Sequence, residues 1–331
     1  MRETIGRGAR GAGSSGARSG DGRAVAERVR ELDGELRAAG IRVTSPDKVL
    51  WAEQGVTKRE LVEYYLAVEE AVLPRLVDRP LTLVRCPSGA EENCFFQKHA
   101  TDSVPAVIPR VPIEEEEGSD VYMYVDGIES LVALVQLGVL ELHVWGSRRD
   151  RLERPDRLVF DLDPDEALPF GRVAAAALRL RELLGELGLE SFPKSSGGKG
   201  LHVVVPVTRR SDFDEAKAFT QAVARRLVAD DPEGFTARMS KSRRTGRIFV
   251  DYLRNARNAT AIADYSTRAR PGAPVAVPLR WDEVNPRARK PPIFTIREVP
   301  DRVADIGDPW AGAEALRQSI TVPMKRTLGL A

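Results

Sequence analysis

Two aspartates one residue apart close an apolar run, Leu158-Val159-Phe160-Asp161-Leu162-Asp163. On a strand, side chains at i and i+2 share a face, so the spacing predicts that both carboxylates converge while Phe160 and Leu162 pack behind them. Two like charges held that close are costly unless a cation sits between them. Hard divalent ions, Mn²⁺ or Mg²⁺, prefer such oxygen donors. A second apolar run, Ile248-Phe249-Val250-Asp251-Tyr252-Leu253, carries one acid. Laid beside the first, it would bring in Asp251 to complete a three-carboxylate cluster able to hold two ions about 3.5 to 4 Å apart and to activate a hydroxyl against a phosphate. Taken alone, an Asp-x-Asp pair equally suits strand-end acids that cap turns or form ion pairs.

Lys194-Ser195-Ser196-Gly197-Gly198-Lys199-Gly200-Leu201-His202 precedes the strand-like Val203-Val204-Val205. Glycines let backbone N–H groups approach an anion, serine hydroxyls donate and lysine supplies charge. The segment is not a P-loop, since Gly200 follows Lys199 and the connection reads as helix to strand. An ordinary flexible turn is the plainer alternative. His202 opens the strand on the face of Val204, where a histidine is more often a satisfied core residue; beside this loop it could bond a phosphate.

The rest of the composition bounds the answer. The 331 residues are 42% hydrophobic, enough for one large packed domain or two modest ones. No apolar run nears the roughly 18 residues that span a bilayer, and the N-terminus lacks the apolar stretch of a secretory signal, so a cytoplasmic location is expected. Cys86 and Cys94 are the only cysteines, which argues against a disulfide framework and fits a reducing compartment. With His99 they spell C-x7-C-x4-H, one ligand short of a zinc site. Lysine plus arginine (50) nearly cancels aspartate plus glutamate (49), so bulk charge gives no hint of nucleic acid. Locally, Arg238, Lys241, Arg243, Arg244, Arg247, Arg254 and Arg257 surround the lone Asp251, a patch suited to phosphates unless it is simply a solvated face. The acidic run Glu114 to Glu117 reads as an exposed loop.

Positioning these groups takes a mixed set of elements. Residues 1–22 are rich in Gly, Ser, Arg and Ala without apolar periodicity, and are expected to form a flexible tail ahead of a single catalytic domain over 23–331. Val25, Val29, Leu32 and Leu36 recur at helical spacing from Arg23 to about Ala39. Thr57 and Glu60 make a capping-box pattern that opens a second helix. Strands are predicted at Leu81 to Arg85, Val121 to Val125 and Leu140 to Trp145, with a helix from Ile128 to Leu137. The second half alternates: strand Leu158 to Asp163, helix Phe170 to Leu187, strand Leu201 to Val207, helix Asp212 to Ala229, strand Ile248 to Leu253. Beyond Pro271 the chain is proline-rich until a short helix near Ala311 to Gln318.

The order D-x-D, S-S-G-G-K-G-L-H, then F-V-D-Y-L-R-N resembles the polymerase domain of bacterial ATP-dependent DNA ligase D, within the archaeo-eukaryotic primase superfamily. The likeness runs on through Ser45-Pro46-Asp47-Lys48-Val49-Leu50-Trp51, Cys94-Phe95-Phe96-Gln97-Lys98-His99, Glu141-Leu142-His143-Val144-Trp145 and Ala263-Asp264-Tyr265-Ser266-Thr267-Arg268, covering roughly residues 40 to 315. It implies an α/β (α+β) fold with mixed, mostly antiparallel sheets flanked by helices around a catalytic cleft. It also implies a nucleotidyltransferase, a template-directed polymerase that prefers ribonucleotides and fills or extends broken DNA ends in non-homologous end joining.

By the same resemblance Asp161, Asp163 and Asp251 look like ligands of two Mn²⁺ or Mg²⁺ ions. Ser196, Gly197, Gly198, Lys199 and His202 would contact an incoming NTP or dNTP, with Ser196 near the ribose 2′-hydroxyl by which a protein tells RNA from DNA. His143, Arg244 and Arg268 would sit near the triphosphate, a bidentate task that suits guanidinium groups. Lys48 and Lys58 correspond to a pocket for the 5′-phosphate at a gap, Arg85 to a DNA contact, and Phe95 and Phe96 to an aromatic pair on which a template base stacks. Otherwise an exposed lysine is a solvated tip, whereas adjacent phenylalanines on one strand cannot both face a core. Val84 and Arg254 stand where some relatives carry a basic residue and a glutamine, which bears on DNA contact. No K-x-D-G ligase motif occurs, so a separate ligase is an expected partner, alongside a Ku-like protein.

Other readings use the same residues. A haloacid-dehalogenase-like phosphatase also ends an apolar strand in D-x-D, but needs Thr or Val soon after the second acid, where Pro164-Asp165-Glu166 stand. A non-catalytic DNA-end-binding protein would leave buried acids without a cation. A primase that starts chains de novo shares the metal site and is set apart only by Lys48 and Lys58.

Overall fold

A computed structural model describes residue 27 and residues 42–116, 118–240 and 244–330. The expected tail and, Glu27 apart, the expected first helix lie outside the described residues, as do Glu117, Lys241 and Arg243.

Strands β1 (Val49–Trp51) and β2 (Val56–Thr57) pair and lead into helices α1 (Lys58–Ala67) and α2 (Glu69–Leu76). The Thr57 hydroxyl accepts from Glu60 N at 3.2 Å while the Glu60 carboxylate accepts from Thr57 N at 2.9 Å, so the expected capping box starts α1. Next come β3 (Leu81–Arg85), β4 (Phe95–Gln97), β5 (Arg110–Glu115), β6 (Gly118–Met123), α3 (Ile128–Gln136) and β7 (Val139–Trp145). The second half holds β8 (Arg157–Pro164), α4 (Phe170–Glu186), β9 (Phe192–Ser195), β10 (Leu201–Pro206), α5 (Phe213–Asp230), β11 (Phe235–Thr236), β12 (Ile248–Asp251) and β13 (Thr260–Ile262). Beyond it lie β14 (Pro274–Val275), β15 (Phe294–Thr295), α6 (Val299–Ile306) and α7 (Val322–Thr327).

Two sheets carry the architecture: β11-β12-β8-β10-β9, antiparallel except for the β11-β12 pair, and the antiparallel β13-β7-β3-β4. Strand alternation decides the layering. Leu158, Phe160 and Leu162 of β8 and Leu201, Val203 and Val205 of β10 turn to one side, where Val173, Ala177 and Leu180 of α4 and Phe219 and Val223 of α5 bury them. Helices α1 and α3 back the second sheet in a larger core that includes Leu61, Leu83, Leu131 and Leu142. The uncovered faces meet, with Val159 and Val204 packing on Ala261 and Trp310. This is the expected mixed α/β arrangement around a cleft.

Several local expectations are corrected. The strand foreseen at Val121 to Val125 lies at Gly118–Met123, paired with β5. The acidic run is therefore partly strand, and Glu115 accepts hydrogen bonds from Tyr122 Oη and Asn258 Nδ2. Only a 3₁₀ turn, Ala313–Ala315, forms within the helix foreseen near Ala311 to Gln318, because Gly312 takes the left-handed region at φ +86°. The strand foreseen to Leu253 ends at Asp251 in a 3₁₀ turn. The glycine-rich loop joins β9 to β10 as a hairpin, not a helix to a strand. Cys86 and Cys94, foreseen as thiols, form a disulfide, because the antiparallel pairing of β3 and β4 brings the strand ends they flank together. That pairing also takes both sulfurs out of any zinc site. Among the described residues no helix is long and apolar enough to cross a membrane.

Candidate active site

The register of the five-stranded sheet decides which side chains meet. Asp251 lies directly opposite Asp161 in the β12-β8 ladder and Phe249 opposite Asp163, while His202 lies opposite Asp161 in the β10-β8 ladder. Opposed residues of an antiparallel pair point to the same side. Asp161, Asp163, Asp251 and His202 therefore share the face turned toward the second sheet. Arg254 stands between two of the acids, with Nη2 3.2 Å from Asp161 and Nε 3.2 Å from Asp251. Arg244 lies 2.7 Å from Asp163 and stacks 4.1 Å over the Phe249 ring. Burial, with the Asp161 charge adding to it, pushes the Asp163 carboxyl above its usual range; burial chiefly does the same to Asp251 despite Arg254. Among the described residues no three carboxylate, imidazole or thiolate groups close around a single point as a metal cage.

The β9-β10 hairpin presses the glycine-rich loop against this wall. Gly197 has φ +68°, and a Cβ there would fall 2.8 Å from Arg268 Cγ; one on Gly200 would fall 2.7 Å from the Leu162 carbonyl, beside the acids. The Ser196 hydroxyl donates to Gly200 O at 2.9 Å, and Arg268 donates to Ser196 O. His202 is buried, with Nε2 3.5 Å from Asp161 Oδ1, and burial lowers its pKa well below the usual value, so the ring is neutral near pH 7. Its Nδ1 has no hydrogen-bond partner among the described residues.

Across the cleft, His143 Nε2 on β7 donates to the Glu141 carboxylate at 2.9 Å, and Arg268 Nε lies 3.1 Å from the other oxygen of the same carboxylate. Burial alone would raise the Glu141 pKa, but the His143 bond and the Arg268 charge hold it at about 2. The cleft, about 670 Å³ and open to solvent, is lined by Asp161 and Asp163 and by His143, Ser196, Lys199, Arg254, Arg268 and Arg270. Grouped carboxylates facing grouped cations can bind a phosphate ester and polarise a hydroxyl beside it.

The other expected residues lie outside the cavity. Phe95 and Phe96, on the edge strand β4, are 47% and 74% exposed, so neither serves the core. The Phe96 ring lies 6.4 Å from that of His143, next to the cleft. Arg85 donates to Gln97 Oε1 at 2.8 Å, with its guanidinium 5.4 Å from the Phe95 ring. Lys48 is exposed and donates to Pro87 O. Lys58 is buried, not a solvated tip; its ammonium donates to Thr44 O at 2.7 Å and Gln136 Oε1 at 3.2 Å. Val84 is buried as well.

Three features of the site escape sequence reasoning. Glu141 and Arg270 line or support the cleft, and Lys194, opposite His202, donates to Asp264 Oδ1 at 2.8 Å beneath it. The Glu-x-His spacing of Glu141 and His143 is the one signal that could have shown the first of these.

Fold and cleft together define a primase-polymerase class of nucleotidyltransferase domain. Residues 57–310 match the family described as LigD, primase-polymerase domain, and the chain belongs to that family. It is 40% identical over 294 residues to the multifunctional non-homologous end joining protein LigD of Pseudomonas aeruginosa, a match covering 88% of this chain and 35% of that protein. It is 32% identical over 271 residues to the bifunctional non-homologous end joining protein LigD of Bacillus subtilis, covering 82% of this chain and 43% of that one. The chain thus spans well under half the length of these curated relatives. Among solved structures, the polymerase domain from Mycobacterium tuberculosis ligase D in complex with DNA aligns with a TM-score of 0.77 at 33% identity, covering 83% of this chain and 98% of that one.

Proposed function

We propose that this domain extends the 3′ end of DNA at gaps or breaks carrying a downstream 5′-phosphate, as one step of non-homologous end joining. The observation that carries the reading is the register: Asp251 opposite Asp161, with Asp163 on the same face. The donor set, all carboxylate oxygen and held together against mutual repulsion, fits divalent cations. Arg254 and Arg244 provide that neutralisation here, and Arg254, 40% exposed, is the group that would give way. Bound by Asp161, Asp163 and Asp251, Mn²⁺ or Mg²⁺ would acidify the attacking hydroxyl and offset the charge of the leaving pyrophosphate.

The chain's own groups do the rest. Lys199, Arg244, Arg268 and His143 gather the triphosphate of an NTP or dNTP, held by charge-assisted bonds. Ser196, at the mouth of the loop with Gly197 and Gly198, reads the ribose edge, and His202 offers its free Nδ1 to a phosphate or a water. The primer's 3′-hydroxyl then bonds to the α-phosphorus as the bond to pyrophosphate breaks. Phe95, Phe96 and Arg85 give a template base an aromatic and cationic surface. Lys48 and Lys58 are close enough to lower the Lys58 pKa, after burial, by repulsion, and a 5′-phosphate between them would relieve it. A Ku-like protein and a DNA ligase are the partners this chemistry calls for.

The test is extension of a gapped duplex, with and without the 5′-phosphate, in Mn²⁺ and with each nucleotide type. Addition of ribonucleotides that is faster on the phosphorylated gap is expected. Folded protein that adds nothing to any primer would end the polymerase reading, and synthesis without a primer would replace it with a de novo primase.

A further inference from the structure

The sheet face that carries the acids continues past them. Arg157, Val159, Asp161 and Asp163 alternate onto one side of β8, which puts Arg157 on the order of 13 Å along the strand from Asp161. Between them Val159 and Val204 pack on Ala261 and Trp310 as an apolar plug. Beyond the plug the space reopens as a second cavity of about 400 Å³, walled by seven arginines and only two acids, Asp156 and Glu314.

Part of that positive charge is committed internally. Arg79 grips Asp156 with bonds of 2.8 and 2.7 Å, and Arg75 pairs with Asp308 while lying 5.0 Å over the Trp310 ring. Arg148 and Arg157 also lie 3.3 and 3.6 Å from Asp156, Arg157 lies 3.4 Å from Asp264, and Arg209 lies 2.6 Å from Asp150, so the uncommitted charge is confined to two side chains. Among the described residues Arg151 and Arg317 pair with no acid; Arg317 donates only to the carbonyls of Glu314 and Leu316, at 3.1 and 3.2 Å, and both side chains are exposed. Thr208, also on the wall, has a buried hydroxyl without a hydrogen-bond partner among the described residues. Two unpaired guanidinium groups next to a spare hydroxyl are suited to an anion with several oxygens.

We propose that this second cavity is a phosphate-binding site distinct from the catalytic cleft, taking the phosphate groups of a free polyphosphate or of a nucleic-acid backbone. The proposal stands on the two unpaired arginines and the spare hydroxyl on the cavity wall and does not depend on the polymerase reading.

The test uses the full chain and the double variant Arg151→Gln/Arg317→Gln, whose side chains are exposed and outside the cleft. Equal thermal melts establish that the variant folds. In calorimetric titration with inorganic pyrophosphate, the variant should lose a class of site that the wild type shows. In parallel, the salt dependence of duplex DNA binding is measured by anisotropy. If the wall holds backbone phosphates, the slope of log affinity against log salt should fall by about 1.8, at roughly 0.9 per contact removed. A lost pyrophosphate site with an unchanged slope identifies a free polyphosphate as the ligand. Identical isotherms and identical slopes would overturn the proposal.

Discussion

Glu141 lies 2.9 Å from His143 Nε2 and 3.1 Å from Arg268 Nε, so one buried carboxylate aligns an imidazole and a guanidinium that both line the cleft. Glu141→Gln keeps the shape and removes the charge. Charge-assisted hydrogen bonds contribute about 1.5 to 3 kcal/mol, so kcat/KM for the nucleotide should drop about 10- to 100-fold. DNA affinity, measured by anisotropy, should stay put; a nucleotide titration that matches the wild type would remove Glu141 from this role.

Asp161→Ala and Asp163→Ala should each abolish nucleotide addition. DNA binding should survive, since the phenylalanines and lysines proposed to contact DNA lie elsewhere. Primer extension beside a binding isotherm checks both halves, and full activity in either variant refutes the carboxylate assignment.

Lys48 and Lys58 should separate. Lys48 is exposed, so Lys48→Ala should weaken binding about tenfold on 5′-phosphorylated gaps alone, the loss of one charge-assisted contact. Lys58 is buried with two acceptors, so Lys58→Ala should also destabilise the fold by about 1 to 3 kcal/mol by removing the donor to Thr44 O and one of the two donors to Gln136 Oε1. Melts and paired binding assays distinguish them; equal loss on unphosphorylated gaps counts against the phosphate pocket.

Phe96, 74% exposed, packs too little to matter to folding. Phe96→Ala should change stability by less than about 0.5 kcal/mol, as surface substitutions do. Binding of template-bearing DNA should weaken by about 1 to 3 kcal/mol if a base stacks there. Unaltered affinity would leave the ring without that function.

Acid should unfold the protein through its buried carboxylates. Glu141 has its folded pKa lowered from 4.5 to about 2, so its contribution is complete above pH 4.5 and disappears as pH falls through about 2. Asp264, which burial would raise but Lys194 and Arg157 hold low, acts in the same direction. Asp163 and Asp251, both raised, act oppositely: without metal their share is largest below the usual carboxylate range and falls as pH climbs. Denaturant midpoints followed from neutral pH to about 2 should decline, and less steeply in Glu141→Gln; parallel curves would disprove the linkage.

The strand bearing Asp161 and Asp163 was readable as an apolar run from Leu158 that ends in two acids at i and i+2, and α1 was readable from the Thr57/Glu60 capping box. The meeting of Asp251 with Asp161 was not. It depends on the order β11-β12-β8-β10-β9, which joins segments far apart in the chain and has no local signature. Strand β4 is three residues long, and β5 carries Pro112 and two glutamates, so neither shows an apolar alternation. Glu141 sits among leucines and valines and reads as strand interior until Arg268 arrives from another segment. The cysteine pair was misjudged for a related reason: composition speaks to compartment, whereas pairing follows from the adjacency of β3 and β4.

The cluster of Val159, Val204, Ala261 and Trp310 lies between the cleft and the arginine-lined cavity, with Ala261 facing the one and Val204 and Trp310 the other. An apolar partition of this kind offers an anion no polar partner, so a charged group on one side is kept from crossing to the other.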